Sequence, residues 1–359
     1  MRTVVVDKIA SIAQAAGLGH ELRIATSDIP CEEGVLLVVE ILTSKSTYNT
    51  LELTSGRMAK LARGDVIVGA LGHRQALFGY SGHVPDKVEA GDVLQVLNIG
   101  GVLGICDSAN PDKGKPFDCR VLGGVLQFPF LGERIGVPAR VGHRKLDPAA
   151  GLDVHGVPVV ALAGTCMEAG KTAACCAIVA RMRHRGLAVN AFKATGVSLR
   201  RDILAMEDAG ARRSMIFTDL GVVTTTAATG PALTRTMLTE MTRDKPDVVV
   251  FELGDGILGA YGVEAILAAP DIRGALSAVI LSANDPVAAW GGVKLLRERF
   301  DVEPCAVTGP ATDNAVGVRI IEEQMGVHAC NAITAGAALG DHIIGSLGLE
   351  ARFAHAVSE

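Results

Sequence analysis

Between Ala163 and Ala174 the chain reads Ala-Gly-Thr-Cys-Met-Glu-Ala-Gly-Lys-Thr-Ala-Ala. Small residues, then a lysine and a hydroxyl, suit one chemistry: capture of the phosphates of a nucleotide. Several backbone N–H groups must converge on the phosphate oxygens, which calls for unobstructive side chains and the N-terminus of a helix. Lys171 supplies a point charge for the β- and γ-phosphates, and the Thr172 hydroxyl suits a Mg2+ ligand. Gly164, Thr165, Cys166, Met167, Glu168, Ala169, Gly170, Lys171 and Thr172 are therefore the candidate nucleotide contacts. The strict spacing G-x-x-x-x-G-K-[ST] asks for glycine at 165, where this chain has Thr165, with its glycine one place earlier. A Gly-Lys-Thr is common by chance, but not between a buried-strand run (Val157 to Ala163) and a helical stretch (Lys171 to Arg185).

Three further side chains could share this chemistry. Glu252 ends the apolar run Val-Val-Val-Phe, and a carboxylate there needs a cation to offset its desolvation. Lys193 ends the run Leu187 to Ala194, beside the loop strand, and Lys193 with Asp202 also reads as an ordinary surface pair. Asp255, between two glycines, reads equally as a turn residue. The eight cysteines contain no C-x-x-C pair, which leaves no support for a zinc site or a redox dithiol. Cys166, Cys175 and Cys176 read as packing residues, with a reactive Cys166 at the helix start as the sharper alternative. His73, His83 and His143 show no metal spacing.

The elements that must hold these groups follow from the hydrophobic pattern. After about residue 151, strands (157–163, 187–194, 246–253, 275–282 and 303–309) alternate with helices (171–185, 199–211, 231–244, 286–300 and 313–325). That alternation predicts an α/β domain with a doubly wound, mostly parallel sheet, whose ligands sit at the carboxyl ends of the strands. From Val35 to Val141 short apolar runs are punctuated by Gly and Pro, which predicts a smaller β-rich, barrel-like domain. A weak internal echo supports it: Gly64-Asp65 and Gly91-Asp92 each stand just before a strand run. The polar stretch 142–156 has no period, so the expected domains are 1–150 and 151–359.

Composition excludes other classes. Forty-nine per cent of the 359 residues are hydrophobic and only 4% aromatic, so an aliphatic core is expected and a disordered chain is not. The formal charge is −5, with 16 basic and 16 acidic residues in 1–150 and 18 against 23 in the remainder. Neither part has the basic excess of a nucleic-acid binder. No apolar stretch is long enough to span a membrane, so a cytoplasmic protein is expected.

The motif set Gly164-Thr165 with Gly170-Lys171-Thr172, then Lys193, Thr195, Gly196 and Asp202, then Glu252, Gly254, Asp255, Gly256 and Gly259, resembles the dethiobiotin synthetase-like branch of the P-loop NTPases. That branch includes the cobyrinic acid amide synthases and the septum-site-placing ATPases. The resemblance covers about residues 157–330 and does not extend to 1–150; Ala194 stands where the family has proline. Gly164-Thr165 and Ala194-Thr195-Gly196 also resemble an uncharacterised P-loop family. The resemblance implies Thr172, Asp202 and Glu252 as Mg2+ ligands, Lys171, Lys193 and Glu252 as the catalytic set, and a homodimer. It places the base beside Asn284 and Asp285. Asn284 suits adenine, whereas a carboxylate at Asp285 or Asp313 would suit guanine; without an N-K-x-D motif ATP is expected, with GTP the alternative.

The function so implied is ATP-dependent, Mg2+-requiring activation of a small carboxylate or carbamate for attack by an amine. The alternative is a nucleotide-dependent switch or assembly factor, ATPase or GTPase, whose β-rich domain binds a protein partner. The loop lacks the extra lysine that the septum-site-placing ATPases carry at its start, which favours the enzyme. The expected partner is a small-molecule substrate, with no nucleic acid and no membrane.

Overall fold

The computed structural model describes residues 1–350 apart from 131, 133 and 143–145. His143 and part of the 142–156 stretch lie outside the described residues. The chain forms two compact units. The first comprises Met1–Lys145 with Val197–Arg201 and Phe217–Thr224; the second comprises Leu146–Gly196, Asp202–Ile216 and Thr225–Glu359.

The first unit is β-rich, and its central strands close on themselves. Leu36–Ile41 pairs antiparallel with Val66–Leu71, which runs parallel to Val102–Ala109. Val102–Ala109 pairs with Val93–Val96, and Val93–Val96 pairs with Phe117–Gln127. Phe117–Gln127 then returns to Leu36–Ile41, which closes the ring and leaves no exposed edge between these five strands. This last strand serves two neighbours because a register shift between Val121 and Gly123 bends it. Both faces of these strands are covered by aliphatic packing: Leu36, Val38 and Val68 on one face and Ile67 and Val121 on the other are all buried.

The Gly-Asp echo is a repeated piece of geometry. Asp65 accepts from the Ala62 N–H at 2.6 Å and Asp92 from the Glu89 N–H at 2.8 Å, each across three residues. The preceding glycine has φ +91° at Gly64 and +104° at Gly91, a region costly for any side chain. Each turn launches a barrel strand, Val66–Leu71 or Val93–Val96.

The two late segments complete this unit. Val223 is fully buried in its core, with Val197 packed against it. The Ser198 carbonyl accepts from Asn98 Nδ2 at 2.8 Å, and the Arg200 N–H donates to Glu52 at 2.8 Å. The Thr224 N–H donates to Glu33, and the Thr224 hydroxyl donates to the His73 carbonyl at 2.6 Å. His83 pairs with Asp107 at 2.9 Å.

The second unit is built on six parallel strands: β1 (Val159–Gly164), β2 (Val189–Lys193), β3 (Arg213–Ile216), β4 (Val248–Glu252), β5 (Ala278–Ser282) and β6 (Ala306–Thr308). Their order is β3-β2-β4-β1-β5-β6, with every neighbour parallel. The connections carry helices, including α1 (Lys171–His184), α2 (Arg201–Asp208), α3 (Gly230–Thr242), α4 (Val263–Ala268), α5 (Pro270–Ala275) and α6 (Pro286–Phe300). Helices α7 (Ala315–Met325) and α8 (Gly336–Ser346) follow. This is the mixed α/β, mostly parallel architecture expected from the pattern, beside a separate β-rich region. Strands β1, β2, β4 and β5 are buried along their whole length, as a sheet covered on both faces requires. Ala174, Cys175, Ile178 and Met182 of α1 pack on them, with Leu339 and Ile343 of α8 in the same core. Helix α1 carries Arg181, Arg183 and His184 in its last turn, where positive charge complements the helix dipole.

The pattern missed several elements. Strand β3 reads Arg-Ser-Met-Ile, too short and polar at its start to show a period, and it lies at the sheet edge. Helices α4 and α5 are six residues each, and α8 contains three glycines.

Candidate nucleotide site

Strand β1 lies at the middle of the sheet, flanked by β4 and β5, the point where successive connections turn to opposite sides. The loop 165–170 leaves its carboxyl end and enters α1 at Lys171. Its position is fixed from both sides: the Thr165 N–H donates to the Ser282 carbonyl at 2.9 Å, and the Ile257 N–H donates to the Gly164 carbonyl at 2.8 Å. Gly170 caps the helix at φ +93°, and no side chain caps it. Among the described residues, nothing accepts from the N–H groups of Cys166, Met167, Ala169 or Gly170. These donors, with the first turn of α1, form the concentration of partial positive charge that binds anions.

Lys171 folds back over the loop. A Cβ at Gly164 would lie 2.7 Å from its Cδ and 2.8 Å from Nζ, so any side chain there would push Lys171 out of this folded-back position. Lys171 is 5% exposed, and its Nζ donates to the carbonyls of Cys166, at 2.7 Å, and Asp255. Burial holds its pKa below the ordinary lysine value, and Lys193 acts the same way, against the opposing carboxylates of Glu252 and Asp255. A desolvated ammonium held by carbonyls gains more from a phosphate, whose oxygens carry full charge.

Strands β2 and β4 bring in the second half of the site. They pair in register, Phe192 with Phe251 and Lys193 with Glu252. The two rings stack at 4.8 Å, and the pleat directs the next residue of each strand to the opposite side. Glu252 is 3% exposed; it accepts from the Thr172 hydroxyl at 2.8 Å and lies 3.9 Å from Lys193 Nζ. Burial raises the Glu252 pKa, and the Asp202 charge adds to that; Lys193, Lys171 and the Thr172 hydrogen bond pull it down. Lys193 is also ion-paired with Asp202, in the first turn of α2. Asp202, Lys193, Glu252, Thr172 and Lys171 therefore form one connected chain of polar contacts.

Hard oxygen donors suit Mg2+, which takes one or two protein ligands and fills the remaining positions with water and phosphate. Thr172 and Glu252 fit that role directly. Asp202 lies beyond Lys193 and adds negative charge. Among the described residues no three His, Cys, Asp or Glu side chains are grouped to share a metal, so no all-protein cage is present there.

The base-side candidates divide. Asn284 is exposed at the end of β5. Asp285 is a helix cap: its Oδ1 accepts from the N–H groups of Val287 and Ala288 at 2.8 and 2.9 Å. That is a structural role for this carboxylate which the sequence reading did not weigh. Asp313 accepts from Asn331 Nδ2 at 2.9 Å. Asn331 was missed, yet it orders the neighbouring turn by accepting from the Ile333 and Thr334 N–H groups, both at 2.9 Å. It lies past the last motif, where no strand or helix signal flags it. Thr195 is fully buried and donates to the Gly254 carbonyl at 3.1 Å, joining the β2 and β4 ends. Burial raises the thiols of Cys175 and Cys176, the latter to about 11, which fits packing roles. Among the described residues no helix is long and apolar enough to cross a membrane.

No family model matches the chain, and no curated protein matches it. Solved structures show a distant likeness. Chloroplast FtsY from Physcomitrella patens aligns at 14% identity and TM-score 0.36, over 57% of this chain and 69% of that one. A DUF1611 family protein from Anabaena variabilis aligns at 16% and 0.39, over 59% and 64%. The hydrogenase maturation factor HypB from Archaeoglobus fulgidus aligns at 12% and 0.35, over 54% and 91%. Likeness of this degree assigns no activity to the chain, whose chemistry rests on the loop geometry above.

Proposed function

We propose that the second unit binds a Mg2+-nucleotide at 164–172 and transfers or hydrolyses its terminal phosphoryl group. The observation behind this reading is the convergence of unspent loop N–H groups with Lys171 Nζ at the head of α1. Lys171 and Lys193 would stabilise charge on the transferring group, and Thr172 and Glu252 would hold the metal with Asp202 behind them. Bound Mg2+ would neutralise charge on the phosphate oxygens.

The finer reading is ATP-dependent activation of a small carboxylate or carbamate. Its oxygen would attack the γ-phosphorus and displace ADP; an amine would then attack the acyl carbon and release phosphate. The support is the motif set and the two lysines near Glu252, since Lys193 gives the site a cation outside the loop. Asp313, oriented by Asn331, keeps GTP in the comparison.

A switch is the second reading, favoured by chain connectivity. The chain leaves the nucleotide unit after Gly196, contributes 197–201 to the β-rich unit, and returns at Asp202, the partner of Lys193. A change at Lys193 would reach the β-rich unit through five residues. Turnover of ATP and GTP, with Mg2+ and with chelator, separates these readings. A ligase is accelerated by a carboxylate and an amine together and a switch by a macromolecular fraction, while absence of Mg2+-dependent nucleotide binding refutes both.

A further inference from the structure

Glu52 is a costly side chain of the β-rich unit that no reading above uses. It ends the short strand Thr50–Glu52, which pairs antiparallel with Met58–Lys60, and its N–H donates to the Ile99 carbonyl at 2.7 Å. Its side chain is 0% exposed. Among the described residues no cationic side chain pairs with it, and its Oε1 has no hydrogen-bond partner. A carboxylate taken out of water for one hydrogen bond costs the barrel more than that bond returns. The other oxygen shows what offsets the cost.

Oε2 accepts from the Arg200 N–H at 2.8 Å. Arg200 stands immediately before α2, where amides have no partner inside the helix and where negative charge complements the helix dipole. The approach to α2 is held at other points as well. Asn98 Nδ2 donates to the Ser198 carbonyl and the Thr218 hydroxyl to Ser198 Oγ, at 2.8 and 2.9 Å, and the Arg200 guanidinium pairs with Asp219 at 3.1 Å. Of these contacts only the one to Glu52 grips the main chain of Arg200. Helix α2 has eight residues, of which Ile203 and Met206 are buried, too few to hold its first turn unaided. That turn carries Asp202, ion-paired with Lys193, whose Nζ lies 3.9 Å from Glu252.

We propose that Glu52 is a positioning residue for the nucleotide site. By holding the Arg200 N–H it fixes the first turn of α2, and so keeps the Asp202 carboxylate on Lys193. With that grip lost the turn loosens, and Lys193 directs its charge to Glu252, where it competes with Mg2+ for the carboxylate. The effect on Mg2+ rests on the nucleotide reading, whereas the hold on α2 does not.

The test is hydrogen exchange of the full chain read by mass spectrometry, with Mg2+-nucleotide titration beside it. Glu52→Met removes the acceptor and leaves an apolar chain of similar length. Exchange across 201–208 is expected to quicken by about tenfold, the scale of losing one hydrogen bond to a charged group, with α1 and the strand Leu36–Ile41 unchanged. Glu52→Gln keeps an acceptor and loses the charge, so about threefold is expected. The Mg2+ concentration that half-saturates nucleotide binding should rise several-fold in Glu52→Met and less in Glu52→Gln. If Glu52→Met fails to fold, Glu52→Asp, which withdraws the carboxylate by one methylene, decides in its place. Unchanged exchange across 201–208, or quickening spread equally over Leu36–Ile41, overturns the hold on α2. A loosened α2 with an unaltered Mg2+ requirement overturns the link to the site. Absence of nucleotide binding in the unaltered chain refutes the nucleotide reading and that link with it, and the exchange result still judges the hold on α2.

Discussion

The two units of this molecule are organised in opposite ways. In the second unit most of the candidate site is local: residues 164–172 lie on one loop and one helix turn, and Lys193 and Glu252 end neighbouring strands. In the β-rich unit the structure is made by distant residues, with Phe117–Gln127 closing a ring begun at Leu36 and Val223 filling its core. A site built on a motif tolerates distance elsewhere in the chain. A closed barrel does not, because each strand is held by partners far away in sequence.

The largest expected effect tests that contrast by truncation. A fragment ending at Lys145 lacks Val223 and the donors that satisfy Glu33 and Glu52. It should show no cooperative thermal transition, whereas the full chain should show one by circular dichroism. A sharp transition in the fragment would mean that the late segments are dispensable and that the first 145 residues stand alone.

Next in size is Lys171→Ala. Loss of the loop cation should weaken Mg2+-nucleotide binding by roughly 100-fold or more, the scale of removing one preorganised charge-stabilising group. The melting profile should barely move. Fluorescent-nucleotide titration measures the first and calorimetry the second; normal affinity in a folded variant ends the nucleotide reading.

Val223→Ala brings the contrast to a single side chain. It opens a cavity in the β-rich core although the stretches on either side of its segment, before 217 and after 224, belong to the other unit, and should cost about 2 kcal/mol in denaturant unfolding. Nucleotide affinity should stay within about twofold if the units respond independently. A loss of both together would show that they are coupled, in favour of the switch.

The smallest effect is a change of slope. Burial raises the Glu252 carboxyl in the folded chain, so the folded state holds that proton more tightly than the unfolded one. The resulting stability is fully present below the ordinary carboxylate range and is lost as pH rises through the raised value. Glu252→Gln should lack that part of the pH dependence in nucleotide-free protein. Identical pH profiles for the two proteins would contradict the burial effect.

The asymmetry also explains what could be read from the residues alone. Gly170-Lys171-Thr172, Lys193 and Glu252 were legible because each ends or begins a strongly patterned element, and the structure brings them together. The barrel strands were legible as runs, and the two Gly-Asp turns as an echo, because turn chemistry is local. Closure of the barrel and the assignment of 197–201 and 217–224 to the first unit were not. These depend on pairings across as many as 191 residues, as between Thr224 and Glu33, which no periodicity records.

The same connectivity sets a timetable for synthesis. The path changes unit after residues 145, 196, 201, 216 and 224, so the barrel core receives Val223 about 80 residues after the long first segment of its unit ends at Lys145. At roughly 5–20 residues per second that interval is on the order of 4–16 s, plus the time needed to clear the ribosome. During it the seat of Val223 beside Gly72 stays open, and the nascent barrel presents aliphatic surface that a chaperone can hold. A pause in translation between residues 145 and 224 would prolong that exposure, whereas a pause late enough for residue 224 to have cleared the ribosome would not.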